Sequence, residues 1–187
     1  DIIYMSAGNK LWRNNDIANI PYNNSHEKSD FGWEMFSDTL YNPTLGITAI
    51  TTSTNPANIV YLGTKYKKIY RIDNANVGDP AIVELTSPLV GSNSYVSDIA
   101  VNPNNAEEVM VVYSNYSCYS LFHSLDGGQT WNKVAGNLEQ TNSGGGNGPS
   151  CRTAEIIPLG SNTLYVVGTS VGLFGTANLN DVNTIWE

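Results

Sequence analysis

Two carboxylates, Asp98 in YVSDIAVN and Glu155 in CRTAEIIP, occupy matching places when these segments are aligned on Ile99 and Ile156. Aligning GITAITTS on Ile50 puts Ala49 at the third equivalent position. Glycoside hydrolysis uses a carboxyl pair at a set separation, one as acid and the other as nucleophile or base. Arg152, three residues before Glu155, is suited to an anionic sugar or to holding a carboxylate through its planar fork. Tyr95 and Tyr116 offer ring faces for sugar stacking, with Asn and Ser nearby for hydroxyls. The competing reading is structural. Polar strand residues face water or pair with neighbours, and most strand tyrosines pack with a wet tip. Two unpaired carboxylates in a dry core would be prohibitively costly, so Asp98 and Glu155 are expected wet or paired.

Other chemistries find little support. The net charge of −8 and nine scattered basic residues argue against nucleic acid, whose phosphates need clustered Lys and Arg. Lys65, Lys67 and Lys68 fall together in one hairpin, where a solvated loop accounts for them. His26 and His123 have no metal-ligand partner at useful spacing, and no Ser-His-Asp order stands out. Asp73, Asn74 and Asp79 suit a turn better than a calcium site. The glycine run in 137–150 precedes no helix or GKS/T, so it cradles no phosphate. No metal and no cofactor is expected. No run of about 18 apolar residues is present to span a membrane.

The elements that would position these residues are short strands. Charged residues make up only 14% of the 187, hydrophobic residues 41%, and Gly, Asn, Ser and Thr are abundant among the rest, as short strands with many turns require. The clearest turn is SLDGGQTW, residues 124–131. Asp126 can accept from loop N–H groups, Gly127 and Gly128 permit φ > 0, and Thr130 and Trp131 start the next strand. LFHS and WNKVAG flank it as hairpin arms.

The pattern repeats. Trp12, Tyr70, Phe122 and Phe174 each end an aliphatic–aromatic pair, spaced by 58, 52 and 52 positions. IIYMSAG, IVYLGT, EVMVVYS and TLYVVGTS precede these pairs, and GITAITTS, YVSDIAVN and CRTAEIIP come before the last three. GWEMFS, AIVELT, WNKVAG and the terminal TIWE complete the set. A period near 50 built only from strands and turns predicts β-propeller blades. The expectation is an all-β fold of about four blades at 1–45, 46–90, 91–136 and 151–187, with 137–150 as a flexible glycine-rich connection. Blade one lacks an inner strand, which leaves an edge beside the channel and predicts a piece of a larger propeller. The chain opens at Asp1 and is expected to be a mature or trimmed product. Asp98 and Glu155 are expected to face the channel.

Ser124, Asp126, Gly128, Thr130 and Trp131 fit Ser-x-Asp-x-Gly-x-Thr-Trp, which resembles the Asp-box, or BNR repeat, of sialidase-type and sortilin-type propellers. The resemblance implies a structural role for this turn, away from the ligand face. The sialidase arginine triad and Arg-Ile-Pro start are not matched; Arg13 and Arg71 recur at the ends of third strands, as blade structure would have them. DIAVNPNN followed by SLDGGQTWNKVAGNLEQ is similar to secreted Bacteroidota propellers and to xyloglucan-hydrolase-type propellers. Asp38-Thr39-Leu40 resembles that phylum's O-glycosylation motif, with a polar turn as the competing reading.

These features predict a secreted or cell-surface module that binds glycan or protein partners without catalysis, alongside further blades or a parent chain. The alternative is a fragment of a propeller glycosidase using Asp98 and Glu155. Two cysteines permit one disulfide. Cys118 and Cys151 each start a strand on one propeller face, so a bridge between them is expected, and an exported protein would allow the oxidation.

Overall fold

A computed structural model of the protein describes residues 1–21, 31–37, 40, 46–90, 94–114, 117–144 and 148–187. Tyr116, His26 and the Asp38-Thr39 pair lie outside them. Among the described residues, fourteen strands form four antiparallel sheets. Blade one holds β1 (Ile3–Ala7), β2 (Lys10–Asn14) and β3 (Trp33–Met35). Blade two holds β4 (Ile47–Thr54), β5 (Ala57–Thr64), β6 (Ile69–Ile72) and β7 (Val83–Glu84). Blade three holds β8 (Tyr95–Asn102), β9 (Asn105–Ser114), β10 (Leu121–Ser124) and β11 (Asn132–Lys133). Blade four holds β12 (Cys151–Leu159), β13 (Asn162–Thr169) and β14 (Gly172–Thr176). TIWE, expected as its outer strand, meets β14 at a single rung, where Gly175 and Glu187 exchange both backbone bonds at 2.8 and 3.0 Å.

Every blade is a meander in sequence order, and β8 packs beside both β4 and β12. The second strands are the hydrophobic heart. Val109 to Tyr113 of β9 and Val60 to Leu62 of β5 are all fully buried. A strand whose two faces both meet neighbouring sheets reads as a continuous apolar run, as these do. One apolar cluster joins blades two, three and four, and a second joins blades one and two. The outward faces of the end blades are not covered. Met5, Trp12 and Met35 form one cross-strand row on blade one, with Met5 46% and Met35 42% exposed. Leu159 and Leu173 lie open on blade four.

Candidate functional site

The ladders correct the equivalence between Asp98 and Glu155. Counting rungs from Thr64, Ser114 and Thr169 of the second strands, the third rung holds Ile50, Asp98 and Ala154. The fourth holds Thr51, Ile99 and Glu155. Each inner strand carries a bulge, at Thr48 in β4 and Arg152 in β12, but in β8 it lies one rung deeper, at Ser97. By the third rung each strand has passed one bulge residue, so the bulges cancel. Ile50, Ile99 and Ile156 themselves stand on the third, fourth and fifth rungs, and a slip of one rung sends a side chain to the other face.

The carboxylates consequently have different surroundings. Asp98 is tied across to blade four: Oδ2 accepts from the Thr153 hydroxyl at 2.5 Å and the Ala154 N–H at 3.0 Å. Its Oδ1 accepts from the Ile99 N–H at 2.9 Å. Glu155 is exposed and pairs in register with Val166, opposite to the face on which Ala154 and Ile156 join the core. Both still border one groove of about 300 Å³, shared with Thr51, Thr52, Thr54 and Pro103. Tyr95 is half-buried opposite Ser114 at the head of β8, and Arg152 is exposed at the β12 bulge; neither borders this groove.

The turn at residues 124–131 is held by its own side chains. Asp126 Oδ1 accepts from the N–H groups of Gln129 and Thr130 at 3.0 and 2.9 Å, and Oδ2 from the Thr130 hydroxyl at 2.6 Å. The Ser124 hydroxyl donates to Asp126 and accepts from the Gly128 N–H, both at 2.8 Å. These donors, the Thr130 hydroxyl foremost, pull the Asp126 carboxyl down to about 2. Gly127 and Gly128 have φ of 69° and 88°. The Trp131 indole N–H reaches back to the Thr86 carbonyl of blade two at 2.9 Å.

No family model matches the chain, and no curated protein matches it. Solved structures do. An ancestral GH74 enzyme superposes with a TM-score of 0.61 at 16% identity, covering 97% of this chain and 23% of the other. A GH74 xyloglucanase from Xanthomonas campestris gives a TM-score of 0.58 at 13% identity, covering 99% of this chain and 29% of the other. The fold is a partial β-propeller. The chain spans about a quarter of the length of these two neighbours.

The propeller's seams contain polar clusters that the sequence reading did not foresee. Glu107 and Glu108 are successive residues of β9, so alternation sends them to opposite sides of blade three. Glu107 takes a bidentate fork from Arg71 of blade two, at 2.7 and 2.9 Å. Glu108 accepts from the Tyr165 hydroxyl of blade four at 2.7 Å and from the Asn102 amide at 2.5 Å, and lies 3.1 Å from His123 Nε2. The bond from His123 is the main cause that holds the Glu108 carboxyl at about 2, against the opposing effect of burial. Arg13 repeats the third-strand position of Arg71 and likewise crosses a seam, donating to the carbonyls of Ala75 and Gly78 in blade two. The only signal in the sequence was an adjacent glutamate pair at the start of an apolar strand.

The expected bridge between Cys118 and Cys151 is not formed: both are buried thiols. Cys118 Sγ is directed to its own hairpin, 3.9 Å from the Tyr113 carbonyl. Burial pushes the two thiols up, to about 11 and about 12, so neither is poised as a nucleophile. Residues 137–144 of the 137–150 connection are better anchored than its composition predicts. Glu139 accepts from the Ser120 N–H and hydroxyl at 2.8 and 2.6 Å, and Leu138 is buried. Asp73 and Asp79 serve structure, Asp73 pairing with Arg71 and Asp79 with Ser37.

Proposed function

We propose that this partial propeller is a non-catalytic binding module of a secreted or cell-surface protein, engaging glycan or protein partners through the inner-strand groove. The observation that supports this reading is the condition of Asp98. Its two oxygens are spent on the Thr153 hydroxyl and two backbone N–H groups, which makes it a fastener between blades three and four. Proton transfer or nucleophilic attack requires a carboxyl directed at substrate, and among the described residues Glu155 is the groove carboxylate left unencumbered. The Thr51, Thr52 and Thr54 segment offers hydroxyls to a polar ligand. The uncovered apolar faces of blades one and four favour further blades of a longer chain as immediate neighbours.

A second reading, a fragment of a propeller glycoside hydrolase, is favoured by the two structural neighbours being GH74 enzymes. A glycan array probed with this chain, with hydrolysis followed on each bound glycan, separates the readings. Binding without turnover is expected. Turnover that disappears in both Asp98→Asn and Glu155→Gln would replace the first reading with the second.

A further inference from the structure

A second cavity, of about 330 Å³, lies at the seam of blades three and four, away from the inner-strand groove. His123 and Asn132, a cross-strand pair of β10 and β11, form one wall. Asn178 and Asp181, in the loop after β14, form the other, and Leu125, 65% exposed, and the half-buried Leu179 supply apolar surface. The His123 side chain is only 9% exposed, and its Nε2 faces Glu108 Oε1. An ionised carboxylate only accepts, so Nε2 carries the hydrogen it shares with Glu108, and Nδ1 is the ring nitrogen left for another partner. Nδ1 has no hydrogen-bond partner among the described residues, nor is it sealed away as an orphaned buried atom. The side chains of Asn132, Asn178 and Asp181 likewise take no hydrogen-bond partner among the described residues.

We propose that this cavity binds a single neutral pyranose ring. The lining combines the second ring nitrogen of His123 and the Asp181 carboxylate, an acceptor, with two amides that both donate and accept. Sugar hydroxyls also do both, so one ring can satisfy the whole set, while its C–H face covers Leu125 and Leu179. The volume lies at the small end of the range for ligand pockets, about 300–1,000 Å³. An anion is disfavoured, because no Lys or Arg lines the cavity and Asp181 does. A metal ion is disfavoured because no cluster of three His, Cys, Asp or Glu side chains occurs among the described residues. The site is independent of the inner-strand groove.

The test is a titration of the 15N-labelled chain with methyl β-D-glucopyranoside, following the side-chain amide signals of Asn132 and Asn178 by NMR. Both signals should shift saturably, with a Kd of about 1–10 mM. Asn178→Ala and Asp181→Asn should each weaken binding about tenfold. Both positions are exposed, and Asn tolerates the positive φ of 47° at residue 181, so folding should survive either change. Glu155→Gln should leave the titration unchanged, which separates this site from the groove. The proposal is overturned by shifts that fail to saturate by about 100 mM, or that ignore both cavity variants, or that vanish in Glu155→Gln. Tighter saturation by n-butylamine at the same amides would also overturn it, in favour of a cation site.

Discussion

The two seams of blade three are closed by neighbouring glutamates in different ways. At the blade two side, Glu107 is 40% exposed and meets a guanidinium that also contacts the Tyr61 hydroxyl and Asp73. At the blade four side, Glu108 is 10% exposed and is held by an imidazole, a phenol and an amide. The first is a permanent ion pair at a wet rim, where screening and side-chain entropy offset much of the attraction. The second keeps a buried carboxylate charged through three converging donors, and the loss of that carboxylate would strand all of them. Adjacent positions on one strand thus carry unequal weight, set by what the next blade presents to them.

The largest expected effect follows from that asymmetry. Glu108→Ala should destabilise the chain by about 3–5 kcal/mol, as breaking a buried charged network does. Urea denaturation followed by tryptophan fluorescence measures it, and a loss no greater than that of Arg71→Met would erase the distinction between the seams. The same seam should govern acid stability. Glu108 has its carboxyl lowered from 4.5 to about 2, so its contribution is complete above about 4.5 and is lost as pH falls towards 2. Glu108→Gln should therefore reduce the dependence of Tm on pH across that interval, leaving the slope due to Asp126, also held at about 2, and to Glu107 and Asp79, whose carboxyls are lowered by the Arg71 fork and by Ser37.

Gly127 offers a sharper probe of the wet seam, because it lies directly over the clasp. A Cβ there would stand 2.0 Å from Arg71 Nη1 and 2.2 Å from Glu107 Oε2, at a φ of 69° that favours glycine. Gly127→Ala should cost about 2–3 kcal/mol from the left-handed backbone and the displaced fork. In a double-mutant cycle with Arg71→Met, part of that cost should disappear; strict additivity would show that the turn and the clasp are uncoupled. Arg71→Met alone should have the smallest effect, about 1 kcal/mol, and added salt should narrow the gap between variant and parent.

The repeat near 50 residues, the strand content and the turn at residues 124–131 were legible in the sequence because they depend on neighbours a few positions apart. Asp, Gly, Gly and Thr between two hairpin arms carry their own hydrogen bonds, and Asp126 makes them within four residues. The continuous apolar runs of β5 and β9 likewise announce strands covered on both sides. The connection at 137–150 was less legible: its glycines signalled slack, while Glu139 and Leu138 supplied anchors to a distant hairpin.

The sequence by itself determined that this chain makes repeated antiparallel sheets and which residues lie inside them. It did not determine the rung that each inner-strand residue takes. Asp98 falls on the third rung and Glu155 on the fourth, which makes one a fastener and leaves the other in solvent. Nor did it reveal that His123, Tyr165 and Asn102 converge on Glu108, since these groups come from different strands and two blades. Local pattern fixes which face of a strand is apolar, whereas register and the partner across a seam depend on contacts tens of residues away. Only the packed structure decides them.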